Sequence, residues 1–136
     1  MANFVCGDVL DITCTHKGIT YRFSPKANET ANIDLGGIRV NDDASQVTSN
    51  GQIIRQLNRV RWMFDVPIAF DSISGYEQKA LNTMSSSPSL GNWQFVFISG
   101  AIIKGVGSPV GDISVDSNAG TLSLKVSGNK ELEVIS

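Results

Sequence analysis

The sequence predicts a mainly β fold, an antiparallel sandwich or barrel with one inserted α-helix. The strongest observation is the segment 60–70, VRWMFDVPIAF, in which apolar and more polar residues alternate. Successive side chains of a strand point to opposite faces of its sheet, so this alternation indicates a long strand with one buried face. Shorter alternating runs recur between Gly, Asn and Pro residues, as in antiparallel all-β domains. Only residues 75–84 show helical spacing.

Segment 60–70 is the expected centre of the core. Its predicted buried face consists of Val60, Trp62, Phe64, Val66, Ile68 and Phe70. Pro67 lies on the opposite face and has no N–H, which predicts an interruption of the hydrogen-bond ladder on one side of this strand.

Length and charge set the class of protein. A chain of 136 residues has the size of one ordinary domain, so residues 1–136 are expected to fold as a unit. Its net charge of −2 predicts no long-range attraction to nucleic acid or to an anionic membrane. The N-terminus lacks the pattern of a secretory signal, and the charge-free run 80–103 is too rich in Asn, Ser, Pro and Gly to span a membrane. A soluble protein made in the cytoplasm is therefore expected, which favours reduced thiols over a disulfide between Cys6 and Cys14.

The N-terminal half is predicted to be a series of strands followed by a long loop. Residues 9–14 and 19–23 form two strands, with Leu10, Ile12 and Cys14, then Ile19, Tyr21 and Phe23 alternating with polar residues, joined by a hairpin turn at residues 16–18. A third strand carries Ala31, Ile33 and Leu35 on one face and Asn32 and Asp34 on the other. Residues 36–52 have little periodicity beyond a short strand at 38–40, and a loop of this length is generally functional or mobile. Residues 53–70 form a nearly continuous extended run with a register shift near Asn58.

The C-terminal half is predicted to contain the helix and further strands. A capping box of Ser74 and Glu77 begins the helix at residues 75–84. The apolar stripe of this helix comprises Ile73, Tyr76, Ala80, Leu81 and Met84. The later strands are centred on Trp93, Phe95 and Phe97, on residues 101–104, on Ile113 and Val115, on Leu122, Leu124 and Val126, and on Leu132 and Val134.

The sequence shows no pattern for catalysis, for a metal or for a cofactor. His16 is predicted to be an exposed turn residue, because a general base needs an orienting partner. Cys6, Cys14 and His16 fall short of the four ligands of a closed zinc site. Residues 41–43, Asn-Asp-Asp, lack the alternating oxygen ligands of a calcium loop. The glycines at 105, 107 and 111 indicate turns, since no helix follows them to form a phosphate site.

Arg55, Arg59 and Arg61 share an even spacing. Without interleaved aromatic residues in an acidic chain, they are not a nucleic-acid signature. Ion pairs with carboxylates such as Asp34, Asp42, Asp43 or Asp65, within the chain or between subunits, are the expectation.

The order of these elements resembles the tail tube proteins of tailed bacteriophages. The resemblance is carried by the polar loop that ends in Asn50-Gly51 and by the closing pattern from Gly111-Asp112-Ile113 to residues 120–128, GTLSLKVSG. It implies a fold shared with the tube proteins of type VI secretion systems, an antiparallel β-sandwich or half-barrel with one short flanking α-helix. It also implies hexameric rings that stack into a channel through which DNA passes without specific binding.

The resemblance further implies a virion location, assembly in the host cytoplasm, and contacts with sheath, tape-measure and baseplate proteins. Asn32 and Asp34 become candidates for the channel wall, because an acidic or neutral wall does not retain phosphates. The loop 36–52, with Asp42, Asp43, Asn50 and Gly51, becomes the contact between rings, and Arg55, Arg59 and Arg61 become candidates for ion pairs at subunit seams.

Three alternatives remain open at this point. The first is a tube-initiator or baseplate hub subunit of the same fold, which forms rings and does not polymerise. The second is a β-sandwich module that binds carbohydrate or peptide, for which exposed aromatic residues such as Tyr76 or Trp93 would be needed. The third is an enzyme that depends on His16.

Overall fold

Within residues 5–135, which the computed structural model describes, the chain is mainly β, with antiparallel pairing and one helix, as predicted. The elements are β1 Val9–His16, β2 Ile19–Phe23, β3 Asn32–Asp34, β4 Gly37–Val40, β5 Gln46–Val47, β6 Ile53–Ile54, β7 Leu57–Val60, β8 Met63–Ala69, α1 Tyr76–Ser85, β9 Gly91–Phe97, β10 Ile102–Pro109, β11 Val115–Asp116, β12 Thr121–Gly128 and β13 Glu133–Ile135.

The main sheet runs in the order β2-β1-β9-β10-β12-β8-β3, with β11 paired to β12 and β13 paired to β10. Its two ends are joined by the residues that follow β2. The Lys26 N–H donates to the Pro67 carbonyl at 3.0 Å, and the Ala69 N–H donates to the Ser24 carbonyl at 2.8 Å. The sheet therefore curls until β8 meets the continuation of β2.

The core lies inside this curled sheet. Alternate residues of β1, β8, β9 and β12 point into it, and the largest fully buried side chains include Trp62, Trp93, Phe23, Phe64 and Phe95. The helix adds Ala80, Leu81 and Met84, the part of its predicted stripe that is confirmed as buried.

Strand β8 confirms the predicted alternation and shortens the predicted strand. Trp62, Phe64, Val66 and Ile68 are buried, while both ends of the segment 60–70 are half-buried. Residues 61–62 leave the ladder, where the Trp62 carbonyl accepts a hydrogen bond from Ser127 Oγ at 2.8 Å. The ladder on the β3 side is interrupted near Pro67, as predicted. Strand β3 pairs only as far as Asp65, and pairing resumes through Pro25.

The first hairpin is confirmed, with two corrections. Lys17 and Gly18 form its turn, both with positive φ, which suits the twist of the flanking strands. Strand β1 extends to His16, so this histidine is the buried end of a strand rather than an exposed turn residue. A bulge between Val9 and Asp11 shifts the register, so Val9 is buried and Leu10 is exposed, the reverse of the expectation.

The predicted capping box is wrong. Gly75 is the N-cap residue, in a left-handed conformation, and makes no side-chain cap. Glu77 accepts a hydrogen bond from the Asp71 N–H at 2.6 Å instead of the Ser74 N–H. The Asp71 carboxylate accepts from the N–H groups of Ile73 and Ser74. Ile73 lies in the turn before the helix begins, and its side chain is 98% exposed, so it does not join the apolar stripe.

The C-terminal strands are confirmed in number, with shorter bounds for two of them and an extension of a third. Ile113 lies before β11 and Leu132 lies before β13, outside the strands predicted for them. Strand β10 continues through Gly105 and Gly107, which were expected to form a turn. These glycines allow close packing instead, since a Cβ at Gly107 would lie 2.4 Å from the Ser127 carbonyl oxygen. Over the same described range, no helix is long and apolar enough to cross a membrane.

Candidate assembly surfaces

Residues 37–60 form a long two-stranded hairpin, which we call the arm. Strand β4 pairs with β7, and β5 pairs with β6 nearer the tip, and neither pair belongs to the main sheet. The Asn41 N–H donates to the Gln56 carbonyl at 2.8 Å between the two pairs. The short strand predicted at 38–40 is confirmed as β4. The rest of 36–52 was expected to be a loop, and it is instead one side of a paired hairpin, with the short strand β5 and two turns. The residues that pair with this segment lie in 53–60, which sequence reasoning assigned to the strand that follows.

One face of the arm is apolar and exposed. Ile38 lies opposite Arg59 and Val40 lies opposite Leu57 in the β4–β7 register, so these four side chains share a face. The apolar three are 61%, 41% and 56% exposed for Ile38, Val40 and Leu57. Single exposed apolar side chains are common, whereas neighbouring ones that form a continuous patch indicate a contact with another molecule.

The tip of the arm carries a second exposed apolar pair and a tight turn. Val47 lies opposite Ile53, and both are exposed. The Thr48 N–H donates to the Gln52 carbonyl at 2.7 Å, and the Gly51 N–H donates to the Thr48 carbonyl at 3.0 Å. Gly51 has φ of +89°, the conformation that a three-residue hairpin loop requires at this position.

The four polar residues predicted for contacts between rings all lie on the arm, at two levels. Asn50 and Gly51 are at the tip turn. Asp42 and Asp43 lie in a turn between β4 and β5, where the Ser45 N–H donates to the Asp42 carbonyl at 3.2 Å. All four are exposed. In the part of the chain that the structure describes, no group of His, Cys, Asp and Glu residues could hold a metal ion.

The three arginines are exposed and do not pair as expected within the chain. Among residues 5–135, the ion pairs are Arg22–Asp11, Lys26–Glu29 and Arg39–Asp34. Asp34 thus pairs with Arg39, which sequence reasoning did not single out. Arg59 lies on the apolar face of the arm, and Arg55 and Arg61 lie just outside β6 and β7.

The base of the arm is held by a carboxylate and a glycine. Asp34 accepts hydrogen bonds from both terminal nitrogens of Arg39 and from the Gly36 N–H at 3.0 Å. The Arg39 hydrogen bond and the Gly36 N–H lower the pKa of Asp34 to about 2. Gly36 has φ of +75°, and a Cβ there would lie within 2.9 Å of backbone atoms of Trp62, Val60 and Lys130. The arm therefore leaves the sheet at a fixed point.

The face of the sheet opposite the core is a second candidate surface. A row of polar residues crosses five neighbouring strands at matched register, namely Arg22, Thr13, Gln94, Lys104 and Glu133. Thr20, Thr15 and Asn92 form the next row. An open cleft of about 410 Å³ lies on this face beside residues 129–131. Uncharged hydroxyl and amide groups dominate the centre of this polar face.

The two predicted channel-wall residues lie elsewhere, on the short edge strand β3. Asn32 is exposed and lies opposite Asp65, and Asp34 lies opposite Met63 with its carboxylate engaged by Arg39. The structure therefore brings both residues near the base of the arm and not onto the polar face.

The remaining candidates for chemistry are His16 and the two cysteines. His16 is 3% exposed, and its Nε2 lies 3.2 Å from the Ser89 carbonyl oxygen, which ties β1 to the segment after α1. Cys6 and Cys14 are free thiols. The Cys14 Sγ lies 3.4 Å from Met84 Sδ, and burial raises the pKa of Cys14 to about 12.

One aromatic groove lies outside the core. Tyr21 of β2 and Tyr76 of α1 have ring centroids 6.4 Å apart, and they line an opening of about 310 Å³ with Lys79 and Thr83. The Tyr76 hydroxyl accepts a hydrogen bond from the Arg22 N–H at 3.2 Å. Trp93, the other aromatic residue considered as a surface group, is buried.

A scan against protein-family models and a search of curated proteins each found no match to this chain.

Proposed function

We propose that the protein is a non-enzymatic structural subunit that assembles with copies of itself, and that the assembly is the tube of a phage tail. The observation that carries the proposal is the arm, whose apolar side chains Ile38, Val40 and Leu57 lie outside the core and face solvent in the single chain.

An isolated two-stranded hairpin is marginally stable in water, because it buries little surface to offset the entropy of ordering its backbone. The arm orders residues far from the main sheet and leaves its apolar face uncovered. A contact with a second copy would bury this face and stabilise the arm. The base at Gly36 and Asp34 fixes the direction in which the arm meets that copy.

The resemblance to tail tube proteins supports a ring over a two-fold dimer. In a ring the arm docks on a different surface of its neighbour. Head-to-tail contacts of this kind generate closed rings or open filaments. The resemblance to tail tube proteins supports hexameric rings that stack, with Asp42, Asp43, Asn50 and Gly51 of the arm between rings and Arg55, Arg59 and Arg61 at subunit seams.

The polar face of the sheet is suited to line the channel. Asn32 and Asp34, the residues predicted for the channel wall, lie near the base of the arm instead and remain separate candidates. Moving DNA is retained by unopposed cations, since each phosphate contact adds salt-dependent affinity. The two cations of the polar row are opposed by carboxylates. Arg22 forms an ion pair with Asp11 at 3.5 Å, and Lys104 lies opposite Glu133 in the β10–β13 register. DNA would therefore pass without specific binding.

The proposed role in a phage tail also implies the partners of the subunit and its location. The subunit would reside in the virion after assembly in the host cytoplasm, with α1 on the side toward a sheath if one is present. Tape-measure and baseplate proteins would contact the tube interior and its end. A tube-initiator or hub subunit is the close variant, which would form rings that do not stack.

The Tyr21–Tyr76 groove favours a second candidate function, binding of a carbohydrate or peptide. Two neighbouring rings with hydroxyl groups and Lys79 at the edge can pack against a sugar or an extended peptide. Saturable binding to a glycan or peptide panel that is lost in Tyr76→Ala, in a protein that stays monomeric, would favour this function over assembly.

Electron microscopy of the purified protein over a range of concentrations tests the proposal. Stacked rings or tubes are expected, and rings without tubes would indicate the initiator variant. A protein that shows neither rings nor tubes at any concentration would contradict a self-assembling subunit.

A further inference from the structure

We propose that Asn50 is a site of spontaneous deamidation at the tip of the arm, and that Thr48 restrains the reaction in the folded chain. This inference goes beyond the proposed function, and it can be tested on the monomer.

The chemistry needs only an asparagine, a following glycine and water. The backbone nitrogen of Gly51 attacks Cγ of Asn50, a C–N bond forms, and the side-chain amide nitrogen leaves as ammonia. Water then opens the resulting cyclic imide at either carbonyl, which leaves aspartate or its β-linked isomer. Asn50-Gly51 is the one Asn-Gly pair in the sequence. Glycine has no Cβ to shield its nitrogen, and the space around Gly51 is open.

Three hydrogen bonds of Thr48 oppose this attack. The Thr48 carbonyl accepts from the Gly51 N–H at 3.0 Å, which holds the proton that the nucleophile must lose. The Thr48 hydroxyl donates to Asn50 Oδ1 and so fixes the side chain that must turn toward the backbone. The same hydroxyl accepts from the Gln52 N–H at 3.0 Å, which fixes the hydroxyl itself. The Thr48 side chain therefore couples the turn to the reactive carboxamide.

The product would change the tip of the arm. Residues 46–54, QVTSNGQII, contain no charged side chain, and Val47 and Ile53 form an exposed apolar pair beside the turn. Deamidation would add a carboxylate there, and the β-linked isomer would also lengthen the main chain by one methylene. Either product would oppose burial of this pair against another surface.

The test measures deamidation by peptide mass spectrometry during incubation at mildly alkaline pH. The samples are the native chain, the chain unfolded in urea, and the variants Thr48→Val and Thr48→Ser. We expect Asn50 to react more slowly in the native chain than in the unfolded chain. Thr48→Val should raise the native rate about fivefold, the factor that one hydrogen bond contributes to a barrier. Thr48→Ser keeps the hydroxyl and should keep the slow rate.

Asn118, which precedes an alanine, is the reference in the same chain. Equal unfolding midpoints for the three native proteins would show that local chemistry, and not global unfolding, sets the rates. Equal deamidation rates of Asn50 in the native and unfolded chains would refute the proposal that Thr48 slows the reaction. The same holds if Thr48→Val does not accelerate deamidation in the native chain. If Asn50 deamidates no faster than Asn118 in the unfolded chain, Asn50 is not a preferred site of deamidation and the proposal is refuted.

Discussion

The rings of Phe64 and Phe95 stack in the core, with centroids 3.9 Å apart and planes 9° apart. These residues belong to β8 and β9, which are separated in the sheet by β10 and β12. The contact therefore spans the interior and holds opposite walls of the curled sheet together.

The first prediction concerns this stack. Phe95→Ala should lower the free energy of unfolding by about 3–5 kcal/mol, because it removes a fully buried ring and leaves a cavity against Phe64. Urea unfolding followed by tryptophan fluorescence measures the change. Leu90→Ala, at an exposed apolar residue, is the control and should change stability by less than about 0.5 kcal/mol. Equal effects of the two substitutions would contradict the packing described.

The second prediction concerns the base of the arm. Gly36→Ala should destabilise the fold more than Gly120→Ala, although both glycines have positive φ. The conformation alone costs about 1–2 kcal/mol for an L-residue. At Gly36 the new methyl group would also meet three backbone atoms within 2.9 Å, whereas nothing lies within 4 Å at Gly120. Chemical unfolding of both variants measures the difference, and a Gly36→Ala protein as stable as Gly120→Ala would refute the close packing.

The third prediction is a pH dependence of the arm. Hydrogen bonds from Arg39 and Gly36 hold the pKa of Asp34 at about 2, below its ordinary value of 3.8. Because the pKa is lowered in the folded state, the stabilisation is fully present above pH 3.8 and is lost as the pH falls toward 2. Carboxyl titration by NMR measures the pKa, and exchange of the Gly36 amide measures order at the base.

Arg39→Gln should raise the pKa of Asp34 toward its ordinary value and speed exchange at Gly36. Arg55→Gln, at an exposed arginine of the same arm, should change neither. Titration of Asp34 at the same pH in all three proteins would exclude the ion pair as the cause.

The fourth prediction separates the two thiols. The thiolate is the reactive form of cysteine, so Cys14, which is buried with a pKa of about 12, should not be labelled in the native protein at neutral pH. Cys6 is exposed and should react rapidly. Cys6→Ser should abolish rapid labelling by a thiol reagent, and Cys14→Ser should leave it unchanged. A native protein without reactive thiols in the absence of reductant would instead indicate a disulfide.

Sequence reasoning succeeded where a local pattern and the tertiary environment agree. Trp62, Phe64, Val66 and Ile68 alternate in the sequence and are buried in the structure, because one face of β8 packs into the core along its length. The two-residue turn at Lys17-Gly18 was also predictable, because the twist of a hairpin demands positive φ there.

The failures have local causes that a pattern does not show. The bulge near Val9 inserts one residue into β1 and exchanges the faces of Val9 and Leu10. The Asp71 carboxylate accepts from the Ser74 N–H, the group that Glu77 would have to accept from, so the capping box does not form. His16 is buried because Ser89, far away in the sequence, supplies a carbonyl partner.

The arm was missed for a different reason. Its strands are short and interrupted by the turn at Asp42 and Asp43, so each half lacks a clear period of two. Ile38, Val40 and Leu57 share a face only through pairing across the hairpin. The predicted residues Asp42, Asp43, Asn50 and Gly51 lie on the arm, while the channel-wall and ring assignments stay predictions.

Sedimentation velocity over a concentration series, with the arm variant Ile38→Asp/Leu57→Asp, tests the central proposal most directly. The control is Ile73→Asp, which places the same charge at an apolar residue that is 98% exposed and lies outside the arm. We predict that the wild type and the control assemble, and that the arm variant remains a folded monomer. An arm variant that assembles as well as the wild type, or a wild type that remains monomeric throughout, would contradict the proposal.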